Sequence, residues 1–475
     1  MQTANENAHL TPNPLSLWRR GSEPQVCGGG VKILWLILAL ALLLRLAYAL
    51  PLDRAAPYTD PGGDSGWFLA NGYALVTGFD DGYLTRLDGE PFPIVLRNLP
   101  TPPLYLLFVG FWQAILPPET ALLLIRVVQA VLGTLTCYFA FRLARAAAGD
   151  SRAGLIAAGA LAVSPAFIVE SAQIATETLY IALVTGALAL YVERRTRPAA
   201  LVAVGALLGL ATLTRAVLLL FPLALLPHLL LADGWRAGLR RAGLVLLVYA
   251  LVVSTWTVYS RARWERWVIA GEGFAAFLYL GASDAGWQGG SRVDEGLALE
   301  LPAETEDQQA VYRERAAALI SADPAGYVRR RVERLAEAYL QPHGTLVYSG
   351  PSLRRLLADW LAAERTLAGL GAVAGSEHFW PKLALYVFHY TALVGGLIGL
   401  WLTRRRWRWT LPPALFIAYT TAAHLALEAL PRYIFPTEVL WWVFAAAALV
   451  AGYDVLRRFL SVVSPGLDKY NKVLP

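Results

Sequence analysis

The feature that most constrains this chain is a series of apolar segments that repeat at about the length of a bilayer core. Ile33–Leu50, for example, contains one charged side chain, that of Arg45. A run of about 18 or more apolar residues is typical of a transmembrane helix. Charged residues make up only 16% of the 475 residues, against about 25% in soluble domains. The sequence therefore predicts an all-α, polytopic membrane protein.

These segments predict about ten transmembrane helices, in a range of about 9 to 12, with shorter interfacial helices between them. The first segment, Ile33–Leu50, is predicted to be a transmembrane helix and not a signal peptide. It lies far from the start of the chain and lacks the small-residue cleavage site of a signal peptide. The predicted spans are residues 33–50, 120–143, 153–168, 178–193, 199–213, 216–232, 243–259, 383–402, 411–428 and 434–451.

Arginine residues concentrate in every second loop between these spans. Because arginine-rich loops face the cytoplasm, both termini are predicted to be cytoplasmic. The same rule accounts for the formal net charge of +6 without a nucleic-acid partner. The arginines in question are Arg19, Arg20, Arg142, Arg145, Arg152, Arg194, Arg195, Arg197, Arg236, Arg240, Arg241, Arg404, Arg405, Arg406, Arg408, Arg457 and Arg458.

The alternation also bears on the apolar segment Leu104–Leu116. If it crossed the membrane, all later arginine-rich loops would face outward, so it is predicted to lie at the outer surface or to re-enter. Two long segments are then extracytoplasmic: residues 51–119, called here the first outer segment, and residues 260–382, the second outer segment. In the latter, apolar residues at helical spacing follow a proline and predict a helix over Pro324–Leu340.

The predicted organisation has five parts, and the sequence shows no internal repeat. The polar N-terminal residues are predicted to be disordered. In chain order the parts are a disordered cytoplasmic tail (1–30), a transmembrane catalytic module that includes the first outer segment (31–259), a small helical outer domain (260–382), C-terminal transmembrane helices (383–455) and a cytoplasmic tail (456–475).

Three acidic residues in the predicted outer loops are candidate catalytic groups. Asp64 follows a glycine turn at the start of an amphipathic run, where it could cap a helix or act as a general base. Asp60 is a spare candidate whose simpler role is in the turn. Glu177 begins a span and is either a helix N-terminal charge or a catalytic group. Glu170 is interpreted as a surface residue.

Two arginines lie at the predicted outer ends of spans, against the general trend. Arginine at membrane depth is costly and is usually paired or functional, and its planar guanidinium suits a phosphate. Arg215 and Arg432, with the neighbouring Tyr433, are therefore candidates for binding a phosphate. The alternatives are snorkelling to the interface or an ion pair with Glu428. Snorkelling is also the interpretation of Arg45.

Other polar groups in the apolar segments predict no further chemistry. His389 and His424 are expected to be hydrogen-bonded core residues. The two cysteines form no framework, and the sequence contains no metal-ligand spacing. A divalent cation could be held by the candidate acids, although nothing in their spacing requires one.

The order and placement of several short motifs resemble those of bacterial GT-C glycosyltransferases. The resemblance covers most of residues 33–450. Within these enzymes, the chain more specifically resembles the glycosyltransferase 39 and protein-mannosyltransferase-like group, which includes aminoarabinose transferases. The motifs are Gly63-Asp64-Ser65 with Ala70 and Tyr73, Thr101-Pro102-Pro103-Leu104-Tyr105, Ser164-Pro165, Thr176-Glu177, Leu213-Thr214-Arg215, and Arg432-Tyr433 with Pro436.

This resemblance implies an inverting transferase that moves a sugar from a polyprenyl-phosphate donor to a lipid, glycan or protein acceptor. The reaction would take place at the outer face of a bacterial inner (plasma) membrane. The general base of the family maps onto Asp64. Many members have Asp-Glu where this chain has Asp64-Ser65, and often a tyrosine where it has Trp67.

Two other classes of protein remain open on the sequence alone. A transporter or lipid flippase would do no covalent chemistry, and such proteins often show inverted repeats and ionisable residues at the bilayer midplane. A membrane scaffold would bind a partner through its outer domain. A scaffold gives no reason for an acidic first outer segment to meet arginines at the outer ends of spans.

Overall fold

A computed structural model describes residues 28–59, 64–79, 82–85, 89, 91–94, 96–97, 101–283, 308–345, 348, 350–363 and 365–463. Each of the predicted spans falls on a helix, or on consecutive short helices, and the all-α polytopic fold is confirmed. The helices before the second outer segment are α1 (Gly28–Ala49), α2 (Ala56–Thr59), α3 (Asp64–Thr77), α4 (Pro103–Ile115), α5 (Pro118–Ala148), α6 (Ser151–Val163), α7 (Pro165–Glu170), α8 (Glu177–Arg194), α9 (Pro198–Thr212), α10 (Phe221–Ala224), α11 (Leu226–Asp233) and α12 (Trp235–Trp264).

The described residues of the second outer segment are mainly helical as well. The remaining helices are α13 (Phe274–Ala282), α14 (Gln308–Ala322), α15 (Pro324–Leu340), α16 (Leu353–Ala362), α17 (Leu367–Ala374), α18 (Phe379–Thr403), α19 (Trp407–Ala426), α20 (Pro431–Ile434) and α21 (Glu438–Val463). Helix α15 has the predicted bounds, and Asp323 caps it by accepting a 2.8 Å hydrogen bond from the N–H of Gly326. The sequence did not predict the antiparallel hairpin of β1 (Gly82–Thr85) and β2 (Pro91–Ile94).

Six helical stretches of the described residues are long and apolar enough to cross a membrane by themselves. They are Gly30–Ala49, Pro118–Ala148, Ala216–Asp233, Trp235–Trp264, Phe379–Ala426 and Pro431–Ser461. The fifth stretch contains both α18 and α19, and shorter apolar helices such as α6 and α9 pack among them. Of the two predicted tails, residues 1–27 and 464–475 lie outside the described part, whereas 28–30 begin α1 and 456–463 end α21.

Arg45 is buried rather than snorkelling, so that interpretation was wrong. Its side chain is 1% exposed and donates to the carbonyl oxygens of Leu161 at 3.1 Å and Ala162 at 3.4 Å. Proline has no N–H, so Pro165 leaves the carbonyl of Leu161, four residues earlier, without its helical partner. The guanidinium of Arg45 supplies that missing donor at the end of α6.

The segment Leu104–Leu116 forms α4, which packs closely on α3 and so fixes the helix that carries Asp64. Contact between the two helices depends on Gly72, where a Cβ would lie 2.7 Å from the carbonyl oxygen of Leu106. The first residues of α4 are tied to the motif before Arg215, since the N–H of Leu104 donates to the carbonyl of Leu213 at 2.8 Å. Its placement outside the membrane stays a prediction.

Replacing Gly72 by valine is expected to destabilise the protein by about 1–3 kcal/mol, the usual range for overpacking a closely packed contact. The thermal unfolding midpoint of the detergent-solubilised protein measures the effect. Gly159→Val in α6 is the matched control, because the nearest heavy atom to a Cβ there lies 3.9 Å away. Equal losses in the two variants would show that the α3–α4 contact is not specially tight.

Helix α15 docks on the C-terminal end of α19 through Arg331, which is 2% exposed. Its guanidinium donates to the carbonyls of His424 at 3.1 Å and Leu425 at 3.2 Å. It also pairs with the buried carboxylate of Glu428 at 3.4 Å. Carbonyls at a helix C-terminus lack helical donors, so one arginine of the second outer segment satisfies the end of α19.

Removing one partner of a buried ion pair typically costs about 3–5 kcal/mol, because the other charge is left uncompensated. Arg331→Met is therefore expected to lower the unfolding midpoint strongly. The double variant Arg331→Met/Glu428→Gln should recover part of that loss, since the stranded carboxylate is gone. A double variant no more stable than the single one would show that the two charges are not coupled.

Candidate active site

Four elements carry the candidate residues to one place. Asp64 is the first residue of α3 and Glu177 the first residue of α8. Arg215 follows α9 in extended conformation, and Arg432 lies in the short helix α20. All four residues therefore lie at helix ends or in short turns, and not in the middle of a long helix.

Glu177 is the centre of the cluster. Its side chain is 0% exposed, whereas that of Arg215 is 14% exposed. Arg215 Nη1 donates to Glu177 Oε1 at 2.9 Å, and Arg432 reaches both carboxylate oxygens, with Nη2 3.3 Å from Oε2. A buried carboxylate requires such pairing because its desolvation is costly. Two guanidiniums therefore share one buried acid.

Asp64 completes the cluster from the solvent side. Its Oδ2 accepts a hydrogen bond from Arg432 Nη1, and its side chain is 61% exposed. The charges thus run in the order Asp64, Arg432, Glu177, Arg215. Asp64 is the acid of this row that an external molecule can reach. Asp60, the spare candidate, lies outside the described residues.

Two tyrosine rings lie beside Arg215. The guanidinium carbon of Arg215 lies 5.5 Å from the ring centroid of Tyr433 and 5.7 Å from that of Tyr180. Cations over aromatic faces are attracted by the ring quadrupole. His424 stacks on Tyr433 with centroids 5.2 Å apart, and its Nδ1 is 2.8 Å from the carbonyl oxygen of Glu428.

The loop before Glu177 is held by polar side chains of α5 and α4. Gln129 donates from Nε2 to the carbonyls of Ser171 at 3.1 Å and Gln173 at 2.6 Å. Its Oε1 accepts a 2.7 Å hydrogen bond from the hydroxyl of Tyr105. These bonds fix where α8 begins and therefore where the carboxylate of Glu177 lies.

Glu170 is a further acid near the cluster, and the sequence analysis did not predict its burial. Glu170 was interpreted as a surface residue, but it is 7% exposed and its Oε2 lies 2.7 Å from His343 Nε2. His343 comes from the second outer segment and lies against the ring of Phe435, with centroids 4.3 Å apart. No local pattern predicts this pair, because its members are 173 residues apart.

The remaining predictions for charged residues have mixed outcomes. The alternative ion pair between Arg432 and Glu428 was wrong, because Glu428 pairs with Arg331 and Arg432 with the two acids of the cluster. His389 is hydrogen bonded in the core, with Nδ1 3.0 Å from a Glu438 oxygen. In the described part of the chain, no three His, Cys, Asp or Glu side chains are grouped to hold a metal ion.

The described helices form a polytopic membrane architecture, with one cluster of acids and arginines at helix ends. Residues 101–275 match the family model described as dolichyl-phosphate-mannose-protein mannosyltransferase. In fold the chain is similar to the oligosaccharyltransferase AglB from Archaeoglobus fulgidus, with a TM-score of 0.51 and 14% identity over 92% of this chain and 52% of that one. Residues 101–275 thus resemble a protein-mannosyltransferase family, and the fold of the chain resembles that of the archaeal oligosaccharyltransferase.

ArnT from Cupriavidus metallidurans aligns with a TM-score of 0.38 and 15% identity, over 90% of this chain and 79% of that one. No curated protein sequence matches the chain significantly. The chain spans about half the length of the archaeal oligosaccharyltransferase, and at 14% identity that likeness concerns the fold.

Proposed function

We propose that this protein transfers a sugar, with inversion, from a polyprenyl-phosphate donor to an acceptor at the outer face of the membrane. The observation that carries the proposal is the contact of the exposed Asp64 carboxylate with Arg432, in one cluster with Arg215. An accessible base thus lies beside guanidiniums that suit a phosphate. The oligosaccharyltransferase of similar fold is described in complex with a dolichol-phosphate, and the matching family model names a dolichyl-phosphate sugar.

In the proposed reaction an acceptor hydroxyl or amine attacks the anomeric carbon of the donor sugar. The bond between that carbon and the phosphate oxygen breaks, and its electron pair leaves with the phosphate. Asp64 takes the proton of the acceptor. Arg215 and Arg432 stabilise the negative charge that grows on the leaving phosphate, an interaction stronger in the transition state than in the ground state.

The position of Glu177 favours a single displacement. A retaining enzyme needs a second carboxylate that acts as a nucleophile. Glu177 is fully buried and bonded to both arginines, so it cannot reach an anomeric carbon. We assign it as a positioning residue that sets the separation and orientation of the two guanidiniums.

The contact between Asp64 and Arg432 also gives the reaction an order. Arg432 Nη1 donates to Asp64 Oδ2. A donor phosphate at Arg432 would compete for this group and release the Asp64 carboxylate. The base is then free only when the donor is in place, which limits wasteful proton transfer before donor binding.

The proposed function is tested in cells that lack the protein, by mass spectrometry of lipid-linked sugars and envelope glycans. A polyprenyl-phosphate sugar is expected to accumulate, and one envelope product should lose a sugar residue. The wild-type gene should restore both, whereas the Asp64→Asn variant should not, at equal protein abundance. Unchanged lipids and glycans in the deletion strain would overturn the proposal.

A further inference from the structure

We use the term arginine-rich face for the arginine-rich loops between the spans. The acidic residues of these loops are paired with arginines. In the described part of the chain, each acid of this face forms an ion pair with an arginine of the same face. The pairs are Glu193 with Arg142 and Arg145, Asp233 with Arg195 and Arg241, and Arg152 with both Asp150 and Asp454. The exposed arginines that remain on this face have no ion-pair partner among the described residues, so their guanidiniums are available to an external anion.

Three of the remaining arginines lie where α18 meets α19: Arg404 and Arg405 in the connection, and Arg408 in the first turn of α19. We call Arg404, Arg405 and Arg408, with the tryptophans beside them, the arginine turn. All three arginines are exposed, and within the described residues none of them is ion-paired with a carboxylate. The guanidinium carbon of Arg404 lies 4.1 Å from the ring centroid of Trp401, and that of Arg408 lies 5.6 Å from the ring of Trp407.

The turn itself is anchored on both sides, so its exposed arginines are held in place. Arg406 packs against Gly149, where a Cβ would come within 2.8 Å of its guanidinium, and donates to the carbonyl of Ala146 at 3.1 Å. On the other side, His228 Nε2 lies 3.2 Å from the carbonyl oxygen of Arg408. Arg406 therefore has a structural task. Of the other three, Arg404 is exposed but also donates from Nη1 to the carbonyl of Trp401 at 2.7 Å, and Arg405 and Arg408 are exposed.

We propose that the arginine turn binds the headgroup of an anionic phospholipid. A guanidinium offers paired donors that match phosphate oxygens. Tryptophan is enriched at the membrane–water interface, so the rings that flank these arginines mark the depth of the headgroups. Basic residues at the ends of transmembrane helices on the cytoplasmic side attract anionic lipids. Three guanidiniums at one turn suit a headgroup with two phosphates, such as that of cardiolipin.

Membrane orientation alone does not account for this arrangement. Orientation depends on the number of basic residues in a loop and not on their grouping. A diffuse attraction between the whole face and an anionic leaflet would be shared equally by all its unpaired arginines. A specific site predicts instead that removing the three arginines of the turn weakens lipid binding more than removing three exposed arginines elsewhere on the face.

The test compares two variants that each remove three positive charges. Arg404→Gln/Arg405→Gln/Arg408→Gln removes the exposed arginines of the turn. Arg194→Gln/Arg197→Gln/Arg240→Gln is the control, because these arginines are exposed on the same face. Cardiolipin binding to the full-length protein in detergent is measured by native mass spectrometry, with phosphatidylcholine as the zwitterionic comparison of zero net charge. The unfolding midpoint without lipid shows whether each variant is folded.

The turn variant is expected to bind cardiolipin at least about tenfold more weakly than wild type, a loss of about 1.4 kcal/mol. The control variant should keep wild-type affinity within about twofold. Equal weakening in the two variants would overturn the site in favour of diffuse attraction, as would equal binding of cardiolipin and phosphatidylcholine by wild type. If the turn variant is unfolded, Arg405→Gln alone, which removes no described contact, replaces it with a smaller expected loss.

Discussion

Replacing Asp64 by asparagine is expected to reduce sugar transfer by about 10²- to 10⁴-fold, the usual contribution of a general base. The fold should be kept, because the Asp64 side chain is 61% exposed. Affinity for undecaprenyl phosphate should be equal or higher, since a neutral amide holds Arg432 less strongly than a carboxylate and competes less with a phosphate. Transfer by membranes containing each variant and binding of undecaprenyl phosphate to the purified protein are the two measurements.

Asp53→Asn serves as the control for this prediction. Asp53 also lies in the first outer segment, but its carboxylate accepts a hydrogen bond from the N–H of Ala55 and is not bonded to the arginine cluster. Transfer by Asp53→Asn should stay close to wild type. Transfer by Asp64→Asn at a near wild-type rate would remove Asp64 as the base. Weaker phosphate binding in that variant would contradict the proposed competition at Arg432.

Replacing Arg432 by glutamine is expected to reduce transfer by about 10²- to 10³-fold, the typical effect of losing one preorganised donor to a developing anion. Affinity for undecaprenyl phosphate should fall at least about tenfold, because the remaining Arg215 offers one guanidinium in place of two. The exposed Arg354, which pairs with Glu337 at 3.7 Å in the second outer segment, is the control. Arg354→Gln should change neither quantity.

Loss of Arg432 also removes a partner of the buried Glu177, so a folding defect has to be separated from the chemical one. The double variant Arg432→Gln/Glu177→Gln removes one positive and one negative charge and leaves the net charge of the cluster unchanged. It should recover unfolding stability relative to Arg432→Gln but not transfer. Unchanged phosphate affinity in Arg432→Gln would show that this arginine does not bind the donor.

The sequence predicts those parts of the molecule that depend on local composition. Apolar segment length located the spans, and α15 was found at its predicted bounds, Pro324–Leu340, because a proline and a periodic apolar face are both local signals. The same holds for the candidate residues Asp64, Glu177, Arg215 and Arg432. Each stands at the end of an apolar or amphipathic segment, where a charge is conspicuous.

The partners of these residues could not be predicted, because pairing depends on how helices are rotated and packed. Asp64 and Arg432 are 368 residues apart in the chain, and nothing near Arg432 favours Asp64 over the closer Glu428. Arg45 shows the same limit. Its position in an apolar span suggested snorkelling. Instead it donates to the carbonyl of Leu161, which lacks a helical donor because Pro165, in a different helix, has no N–H.

The docking of α15 on the end of α19 bears on how this protein can be rebuilt. Arg331 satisfies the last carbonyls of α19 and the acid of the connection that leads to Arg432. The second outer segment therefore supports the turn that carries Arg432, and it is not a detachable module. A chimera that carries a foreign segment in its place would have to bring an equivalent arginine, or the turn with Arg432 would lose its support.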